Sequence, residues 1–537
     1  MSKPSVLCYV SACSTNTEKN ILKPMYHPGA HALNRPDQPA VIIAGTDQQI
    51  SHKELNERSN RIAQFLHGQG FRPGDHIAIL MENNLRYFEV FWAALRSGLI
   101  FTPINRYFTP DEAAYVVNDS GAKALFTSAH MGETARALVN SIPDCPFRLI
   151  VDGSCPGYDE LDAALATFPK TPLTNEPRGQ MMLYSSGTTG RPKGILRTPI
   201  PADIAEGLSH IDRLRDYGID ECTVYLSPAP IYHAAPLAYS VGVLSLGGTI
   251  VMMPRFDAEH ALQCIQEYKV THSQWVPTMF IRMLKLPLDI RGAFDLSSHQ
   301  VAIHAAAPCP VEVKRQIIDW WGPVLHEYYA GSESNGSTRI DSHEWLKRPG
   351  SVGKASMGVL HICDEDGNEV PPRAEGTIYF EQPEMPFRYH NDPKKTREAQ
   401  NPQHPNWSTL GDVGYVDEDG YLYLTDRKSF MIISGGVNIY PQAIEDALVL
   451  HPNVMDAAVV GVPNEEFGEE VKAVVQLEPG VSESVDLAEE LIAFTRDKVA
   501  SYMVPRSLDF TETLPRLPTG KLYKHKLREK YWTPKPA

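Results

Sequence analysis

The sequence predicts an α/β protein: a large N-terminal domain of α/β sheet subdomains with a small β-barrel-like part, followed by a small α+β domain at the C-terminus. Three observations support this prediction. Strand and helix patterns alternate from residue 51 to residue 321, a β-rich texture replaces them over 350–425, and a separate compact unit can be read after residue 427. Strand–helix alternation is typical of mostly parallel sheets that are covered by helices on both faces.

Helix start signals and apolar periodicity define the first elements. Ser51 and Glu54 form a capping box, after which apolar residues recur on one helical face as far as Gly68. Asn84 is a good N-cap residue for a second helix, which stops at Gly98. The elements expected up to residue 127 are, in order, a helix over 51–68, a strand over 75–81, a helix over 84–98, a helix near 111–118 and a strand over 122–127.

The middle of the chain changes character twice. Residues 141–179 are rich in Pro, Gly and Asp, so we expect a connection between subdomains there. Strand–helix alternation then resumes, and a β-hairpin is expected around Asp417–Gly420. The elements expected are strands near 181–183, 222–228, 249–253, 270–275, 300–304 and 376–380, hairpin strands at 414–416 and 421–424, and helices near 257–268 and 311–321.

A domain boundary is expected at Asp426-Arg427-Lys428. The chain is then an N-terminal extension of residues 1–27, a large domain of residues 28–426 and a C-terminal domain of residues 427–537. In the last domain Pro441 can begin a helix, because its fixed φ suits the first helical turn. The other elements expected there are strands over 456–462 and 470–476 and a helix over 485–501.

Composition excludes several classes of partner. The formal net charge of -15 argues against nucleic acid and anionic membrane surfaces. No run of about 18 apolar residues is present to span a bilayer, and the apolar stretch Val6–Val10 is too short for a secretion signal. The 8 cysteines form no CxxC pair, which favours a reducing compartment and no zinc site. A cytoplasmic location is therefore expected.

The stretch most informative about function is Tyr184–Gly194, which reads Tyr-Ser-Ser-Gly-Thr-Thr-Gly-Arg-Pro-Lys-Gly. Its small residues let the backbone approach a ligand, and successive N–H groups can form a nest for anions. Hydroxyl groups and the charge of Lys193 add donors, so the pattern suits a polyphosphate. It lacks the Gly-Lys-Ser/Thr ending of the common phosphate loop. A flexible linker is the alternative, but a linker would need neither the apolar strand before it nor the Pro-Lys-Gly exit.

This stretch resembles the signature of the adenylate-forming superfamily: acyl-CoA synthetases, firefly luciferase and the adenylation domains of non-ribosomal peptide synthetases. Further stretches resemble the superfamily's motifs in the same order, so the resemblance covers roughly residues 30–530. It implies a large domain joined to a small mobile one, and binding of ATP, Mg2+ and CoA. The further stretches are 230–236, 305–308 with 327–333, 408–412, 434–441 and 514–521.

The resemblance implies residues for each part of the nucleotide. The ring of Tyr329 would help to enclose the adenine, and Asp412 would accept both ribose hydroxyls. Ser332 stands where the family usually has Thr, which keeps the hydroxyl. The phosphate-binding residues implied are Ser185, Ser186, Gly187, Thr188, Thr189, Gly190, Lys193 and Ser332; the adenosine-binding residues are Ala306, Ala307, Pro308, Tyr329, Asp412 and Arg427; and the Mg2+ ligands are Glu333 and Ser185.

The resemblance also implies two loops that act in turn. Lys521 resembles the lysine that catalyses adenylation, and the CoA-binding loop would contain Ser434, Gly435 and Gly436. Because Lys521 would obstruct the incoming thiol, the C-terminal domain is expected to rotate about a hinge near 426–429. The family commonly carries Asp or Lys where this chain has Ser429, so the hinge residue stays open.

The acyl end of the site is implied by Pro230–Pro236. His233 resembles the gate at this end and joins Lys521 and Glu333 as an expected catalytic residue, with a satisfied surface histidine as the alternative. The expected acyl-binding residues are His233, Tyr239 and Ala305, with Val241, Trp275 and Met279 as further walls. These residues favour an uncharged hydrophobic acid, which can be fatty, aromatic or polycyclic.

The predicted activity is ATP-dependent ligation of a hydrophobic carboxylic acid to CoA through an acyl-adenylate, with release of AMP and pyrophosphate. Loading of a separate carrier protein is the main alternative, and a luciferase-like oxygenase shares the motifs. An amino-acid adenylation domain would need an acidic residue where Tyr232 and His233 stand. A nucleotide-binding regulator is disfavoured because Lys521, Glu333 and Asp412 are all present. No nucleic acid and no membrane span are expected, and homodimerisation is left open.

Overall fold

The computed structural model describes residues 26–185, 192–198, 201–427, 430–435, 437–464, 466–516, 522 and 524–532. For Ser185, Asp426, Arg427, Asn438 and His525 the description is limited to the backbone. In the described part of the chain, no helix combines the length and the apolar character that crossing a bilayer requires.

The helices follow the start signals that the sequence carries. The capping box of Ser51 and Glu54 and the Asn84 cap are both formed. The helices are α1 Pro28–Asn34, α2 His52–Gly68, α3 Leu85–Arg96, α4 Pro110–Ser120, α5 Gly132–Leu138, α6 Leu161–Leu165, α7 Ile211–Arg215, α8 Ala234–Leu246, α9 Ala258–Tyr268, α10 Pro277–Leu284, α11 Leu288–Arg291, α12 Val311–Trp321, α13 Ser342–Trp345, α14 Pro393–Glu398, α15 Pro441–Leu448, α16 Val485–Arg496 and α17 Lys524–Trp532.

The strands occupy the apolar runs between these helices and dominate the segment between α13 and α15. They are β1 Pro39–Ile43, β2 Gln49–Ser51, β3 His76–Leu80, β4 Ile100–Pro103, β5 Ala124–Ser128, β6 Phe147–Val151, β7 Asp159–Glu160, β8 Gln180–Ser185, β9 Lys193–Arg197, β10 Val224–Ser227, β11 Thr249–Met252, β12 His272–Trp275, β13 Val301–His304, β14 Leu325–Ala330, β15 Ser337–Asp341, β16 Ser351–Met357, β17 Val359–Cys363, β18 Gly376–Glu381, β19 Phe387–Tyr389, β20 Trp407–Ser408, β21 Asp412–Val416, β22 Leu422–Arg427, β23 Ile432–Ser434, β24 Val437–Ile439, β25 Val454–Asn464, β26 Gly468–Leu477 and β27 Ser507–Phe510.

Two sheets with parallel centres form the α/β part of the large domain. One has the order β19-β9-β8-β4-β3-β5-β6-β7, and the other continues from β2, β1, β11, β10, β12, β13 and β14 into antiparallel strands. The largest apolar cluster lies between the two sheets and includes α2, α3 and α8. Every residue of α3 from Arg86 to Arg96 is buried, as a helix enclosed between two sheets requires. The α/β prediction is confirmed.

The outer faces of both sheets are covered by helices as well. The helices α9, α10 and α12 pack on one sheet, and α4 and α5 pack on the other. The antiparallel strands β15, β16, β22, β21, β18 and β17 extend the sheet that contains β14 and form the β-rich part that was predicted after residue 350. At the C-terminus β25 and β26 pair along ten residues, with α15 and α16 on one face of that sheet and α17 on the other.

Three predictions about local structure were wrong. Residues 141–179 are not a connection only, because β6 pairs with β5 and buries Leu149, Ile150 and Val151; the Pro- and Gly-rich flanks obscured this short strand. The last long helix ends at Arg496 rather than at residue 501. Tyr26, placed in the loose extension, is held by backbone and side-chain hydrogen bonds to Ala205 and Ser245, whereas residues 1–25 lie outside the described part.

Candidate active site

A cavity of about 1260 Å³ lies where the two sheets, the antiparallel extension and the C-terminal unit meet. It is reached from the carboxyl ends of β12, β13 and β14, the edge at which open α/β sheets bind their ligands. Residues from the predicted adenosine, phosphate and acyl sites all line it, so one space is shared by these three parts of the predicted chemistry.

Tyr329 and Asp412 come together at one end of the cavity. The hydroxyl of Tyr329 donates a hydrogen bond of 2.7 Å to Oδ2 of the buried Asp412. Its ring is supported by Phe380, at 6.3 Å between centroids. Asp412 is the register partner of Arg427 across β21 and β22, so the backbone also brings the predicted arginine to this end. The arrangement fixes a carboxylate beside a half-buried aromatic ring that lines the cavity.

The loop that follows β13 supplies Ala305, Ala306, Ala307 and Pro308 to the cavity wall. Ala306 has φ +79°, a left-handed conformation that a side chain with Cβ adopts only at a cost. This conformation changes the direction of the chain immediately after the buried Ala305, where the loop lines the cavity.

The predicted phosphate loop connects two antiparallel strands. Ser185, the last residue of β8, is the register partner of Lys193, the first residue of β9. Lys193 lines the cavity, and burial followed by the charge of Lys395 lowers the pKa of its ammonium group. Ser186, Gly187, Thr188, Thr189 and Gly190 lie outside the described residues, so their roles stay predictions.

Ser332 and Glu333 form the opposite wall of the phosphate end. One carboxylate oxygen of Glu333 accepts the hydroxyl of Tyr389 at 3.0 Å. A Cβ at Gly331 would lie 2.9 Å from the other oxygen of Glu333 and 2.4 Å from Cδ1 of Leu410, so position 331 requires glycine for close approach. The loop therefore places a nearly buried carboxylate at the cavity.

The acyl part of the cavity is an aromatic wall. Tyr239 lies 5.9 Å from Tyr328 and 6.3 Å from Tyr217 between ring centroids. The amide of Gln274 donates to the hydroxyl of Tyr328 at 3.2 Å. Trp275 also lines this region as expected, but Val241 and Met279 do not, because their side chains are buried in the two cores behind the cavity.

His233 precedes α8 and is not a surface histidine. Its ring lies 4.2 Å from that of Tyr232, and its Nε2 is enclosed without a hydrogen bond among the described residues. Burial lowers the pKa of His233 to about 3, so the imidazole is neutral at physiological pH. A neutral ring suits a steric gate better than a cationic catalyst.

The C-terminal unit closes the cavity with the segment that surrounds Lys521. Arg516 and Leu522 pair across an antiparallel bridge and both line the cavity, whereas residues 517–521 between them lie outside the described part. Ser434 and Gly435 do not line the cavity, and Gly436 is not described. In this arrangement the two described residues that flank Lys521 line the cavity, and the described residues of the segment predicted for CoA do not.

The cavity residues that escaped the sequence analysis include Arg197, Tyr217, Gln274 and Tyr328. Tyr328 carried a usable signal, since it lies beside Tyr329 within the motif 327–333 that the sequence analysis had already placed at the site. Arg197 stood out as a charged residue beside the apolar Ile195 and Leu196 in β9. Tyr217 and Gln274 carried no such signal, because helix α7 and the sheet order bring them to the site.

Comparisons with known proteins identify the family of the chain. A family profile described as "AMP-binding enzyme" matches residues 30–390, and one described as "AMP-binding enzyme C-terminal domain" matches residues 443–521. The chain belongs to the AMP-binding enzyme family. Membership confirms the prediction of an adenylate-forming enzyme of the acyl-CoA synthetase branch.

Individual members of the AMP-binding family align over nearly the whole chain. A feruloyl-CoA synthase from Amycolatopsis sp is 33% identical over 506 residues, which cover 94% of this chain and 98% of the relative. The fatty acid–[acyl-carrier-protein] ligase ScoC from Streptomyces coeruleorubidus is 30% identical over 523 residues, covering 94% and 95%. The crystal structure of ATP-bound MatB from Rhodopseudomonas palustris superposes with a TM-score of 0.77 at 27% identity, covering 94% and 99%.

Proposed function

We propose that this AMP-binding enzyme ligates a hydrophobic carboxylic acid to CoA at the expense of ATP, through an acyl-adenylate, and releases AMP and pyrophosphate. The observation that carries the proposal is the single cavity that joins the Tyr329–Asp412 pair to an aromatic acyl wall. An enzyme that couples a nucleotide to an acid needs both in one space, because the reacting atoms must meet.

The chemistry that the cavity has to perform is attack of one anion on another. A carboxylate oxygen forms a bond to the α-phosphorus of ATP, and the bond from that phosphorus to pyrophosphate breaks. Lys521, on the loop between Arg516 and Leu522, would bridge the two anions. At about 4 Å, two unit charges interact with about 4 kcal/mol at an effective dielectric constant of 20, several times the value in water.

The nucleotide would lie between Tyr329 and the phosphate loop. Asp412 would accept the ribose hydroxyls in a bidentate manner, with Arg427 beside it. Ala306, Ala307 and Pro308 would flank the adenine. Ser332 would contact the phosphates from one wall; the residues that would contact them from the other are Ser185, Ser186, Gly187, Thr188, Thr189, Gly190 and Lys193.

Glu333 fits the requirements of a Mg2+ ligand. Its nearly buried carboxylate faces the cavity, and Mg2+ commonly takes one or two carboxylates together with phosphate oxygens of a substrate. Among the described residues no group of three acidic, His or Cys side chains forms a ready cage, so the ion would arrive with the polyphosphate. Ser185 is the second ligand proposed. When bound, Mg2+ would neutralise charge on the departing pyrophosphate.

The second half-reaction forms a bond between the thiol sulfur of CoA and the acyl carbon, and AMP leaves. Lys521 would then be in the way of the thiol. We propose that the C-terminal unit rotates about residues 426–429, removes Lys521 and brings Ser434, Gly435 and Gly436 to the cavity. The observation in favour is that Arg516 and Leu522, which flank Lys521, line the cavity, whereas Ser434 and Gly435 do not.

The acid is proposed to be hydrophobic, and aromatic in preference to saturated. Tyr217, Tyr239 and Tyr328 line the acyl part as a cluster of contacting rings, and flat aromatic substrates pack well on aromatic side chains. His233 and Ala305 would stand where the acyl chain leaves the phosphate end. The feruloyl-CoA synthase among the relatives acts on an aromatic acid, which supports this choice.

A carrier protein is the second candidate acceptor, because the relative ScoC is named a ligase for acyl-carrier protein. The experiment that separates the two incubates the enzyme with ATP, free CoA and fatty, aromatic or polycyclic acids, and measures AMP and acyl-CoA by mass spectrometry. Formation of an aromatic acyl-CoA supports the proposal. Acid-dependent ATP–pyrophosphate exchange without acyl-CoA would favour the carrier protein as acceptor. If none of the acids supported exchange, both candidate functions would be refuted.

A further inference from the structure

Arg197 lines the cavity, and the proposed function gives it no role. It ends β9, four positions after Lys193, and its register partner in β19 is Phe387. Its Nε and Nη2 donate to the main-chain oxygen of Ser332 at 3.3 and 3.2 Å. The arginine therefore joins the strand that leaves the phosphate loop to the loop that carries Ser332 and Glu333.

The guanidinium of Arg197 is charged, and its described hydrogen bonds do not occupy all of its N–H donors. Burial, and next the charge of Arg213, lower its pKa to about 10, while the carboxylate of Glu333 acts in the opposite direction. It is thus protonated at neutral pH. A guanidinium has five N–H donors, and no carboxylate of a described residue is hydrogen-bonded to this one. A half-buried cation without a carboxylate partner is poorly compensated unless an anion binds.

The position of Arg197 indicates which anion that is. Its guanidinium is hydrogen-bonded to Ser332, at the phosphate end of the cavity, and it interacts electrostatically with His210 and Arg213, which line the same cavity as the acyl wall. The anion found at this junction in both half-reactions is the phosphate of the AMP group. The carboxylate of the acid loses its charge when the acyl-adenylate forms, and pyrophosphate departs after the first step.

We propose that Arg197 binds the α-phosphate of the nucleotide and keeps it bound through both half-reactions. The inference rests on the proposed function for the reaction it serves. Arg197 belongs to a strand of the large domain, so it does not move with the C-terminal unit. It is a fixed cation, and Lys521 is the mobile one: the first holds the phosphate throughout, and the second acts only while the acid attacks.

Binding of AMP and adenosine to the full-length enzyme tests the proposal by calorimetry. Arg197→Gln should weaken AMP binding at least tenfold, the scale of a lost charge-assisted contact, and leave adenosine binding within about twofold. Arg197→Lys, which keeps the charge, should recover part of the loss. Arg388→Gln is the matched control, because Arg388 is exposed on the adjacent strand β19 and does not line the central cavity.

Equal weakening of AMP and adenosine by Arg197→Gln would overturn the inference, as would unchanged AMP binding. The inference would also be overturned if the parent enzyme bound AMP no more tightly than adenosine. A further contradicting result would be an Arg197→Lys variant that melts at the parent temperature but loses as much AMP affinity as Arg197→Gln. These measurements need neither an acid nor a thiol. A parent enzyme that binds AMP through Arg197 but makes no thioester would therefore refute the proposed function and leave this inference standing.

Discussion

At the scale of single residues, the hydrogen bond between Tyr329 and Asp412 is the most specific feature of the cavity. The phenol donates to one carboxylate oxygen at 2.7 Å, and this restricts the orientation of the carboxylate at the cavity. A hydrogen bond to a charged group contributes roughly 1.5–3 kcal/mol, so its loss is measurable against the affinity of a nucleotide.

Tyr329→Phe keeps the ring and removes this hydrogen bond. We expect roughly tenfold weaker AMP binding at unchanged melting temperature, because stacking is retained while Asp412 loses its orientation. Calorimetry with AMP checks the prediction. Tyr415→Phe is the control, since Tyr415 stacks on Tyr423 in the same antiparallel region and does not line the cavity. Tighter or unchanged AMP binding by Tyr329→Phe would contradict the assignment.

The strained backbone of Ala306 gives a second prediction. Ala306→Gly removes the Cβ that φ +79° disfavours, so the free energy of unfolding should rise by about 1 kcal/mol. Ala307→Gly, at a neighbouring residue without positive φ, should instead destabilise the protein, because only chain entropy changes. Thermal melting of both variants checks this. If the two substitutions shift the melting temperature in the same direction, the strain argument is wrong.

At the scale of elements, the loop between β14 and β15 depends on its tight packing against Leu410. Gly331→Ala would force the loop away from Leu410 and Glu333. We expect ATP–pyrophosphate exchange to fall at least tenfold, because Ser332 and Glu333 move with the loop. Gly292→Ala is the control, since a Cβ there meets nothing nearer than 3.4 Å. Parent-like exchange in Gly331→Ala would show that the loop position is unimportant.

Most elements were predictable because their signals are local. The Ser51 capping box, the Asn84 cap and the alternation of apolar strands with periodic helices required only neighbouring residues. The strand β6 was missed because five residues between Pro- and Gly-rich flanks gave too weak a pattern. The order of the motifs likewise predicted that Tyr329, Asp412 and Glu333 belong to one site, and all three line the cavity.

What could not be predicted depends on distant parts of the chain. Arg197 and Gln274 reach the cavity only because of the order of strands in two sheets, which no local pattern specifies. Val241 was expected in the acyl wall, but it faces the core on a helix that is apolar on every side, so periodicity could not tell its faces apart.

At the scale of the whole molecule, buried neutral histidines couple stability to pH. Burial lowers the pKa of His210 to about 4 and that of His299 to about 3. In the unfolded chain a histidine takes up a proton below about pH 6.5, whereas these folded histidines do not. The unfolded state then binds more protons, so stability falls as the pH decreases through 6.5, by about 1 kcal/mol for each such residue at pH 5.5.

His299→Gln removes one of these titrating groups at a position that does not line the cavity. The imidazole of His299 contacts the hydroxyl of Ser273 at 2.6 Å, so the variant should melt at a lower temperature at pH 7.5. The further fall in melting temperature between pH 7.5 and pH 5.5 should nevertheless be smaller than in the parent. Parallel pH profiles of the two proteins would show that His299 does not titrate on unfolding.

The large domain and the C-terminal unit share the cavity. The proposed mechanism requires the C-terminal unit to rotate relative to the large domain between the two half-reactions. Lys521 is proposed to act only in the first half-reaction, beside a cation that stays on the large domain. Lys526→Ala is the control for substitution of a lysine in this region, because Lys526 is exposed on α17.

The most direct test measures both half-reactions of Lys521→Ala separately, with an acid that the parent enzyme activates. ATP–pyrophosphate exchange should fall by some 10²–10³-fold, the scale of one lost electrostatic contact to a transition state. Conversion of supplied acyl-adenylate and CoA to thioester should stay within about threefold of the parent rate. Equal loss in both half-reactions would contradict the account.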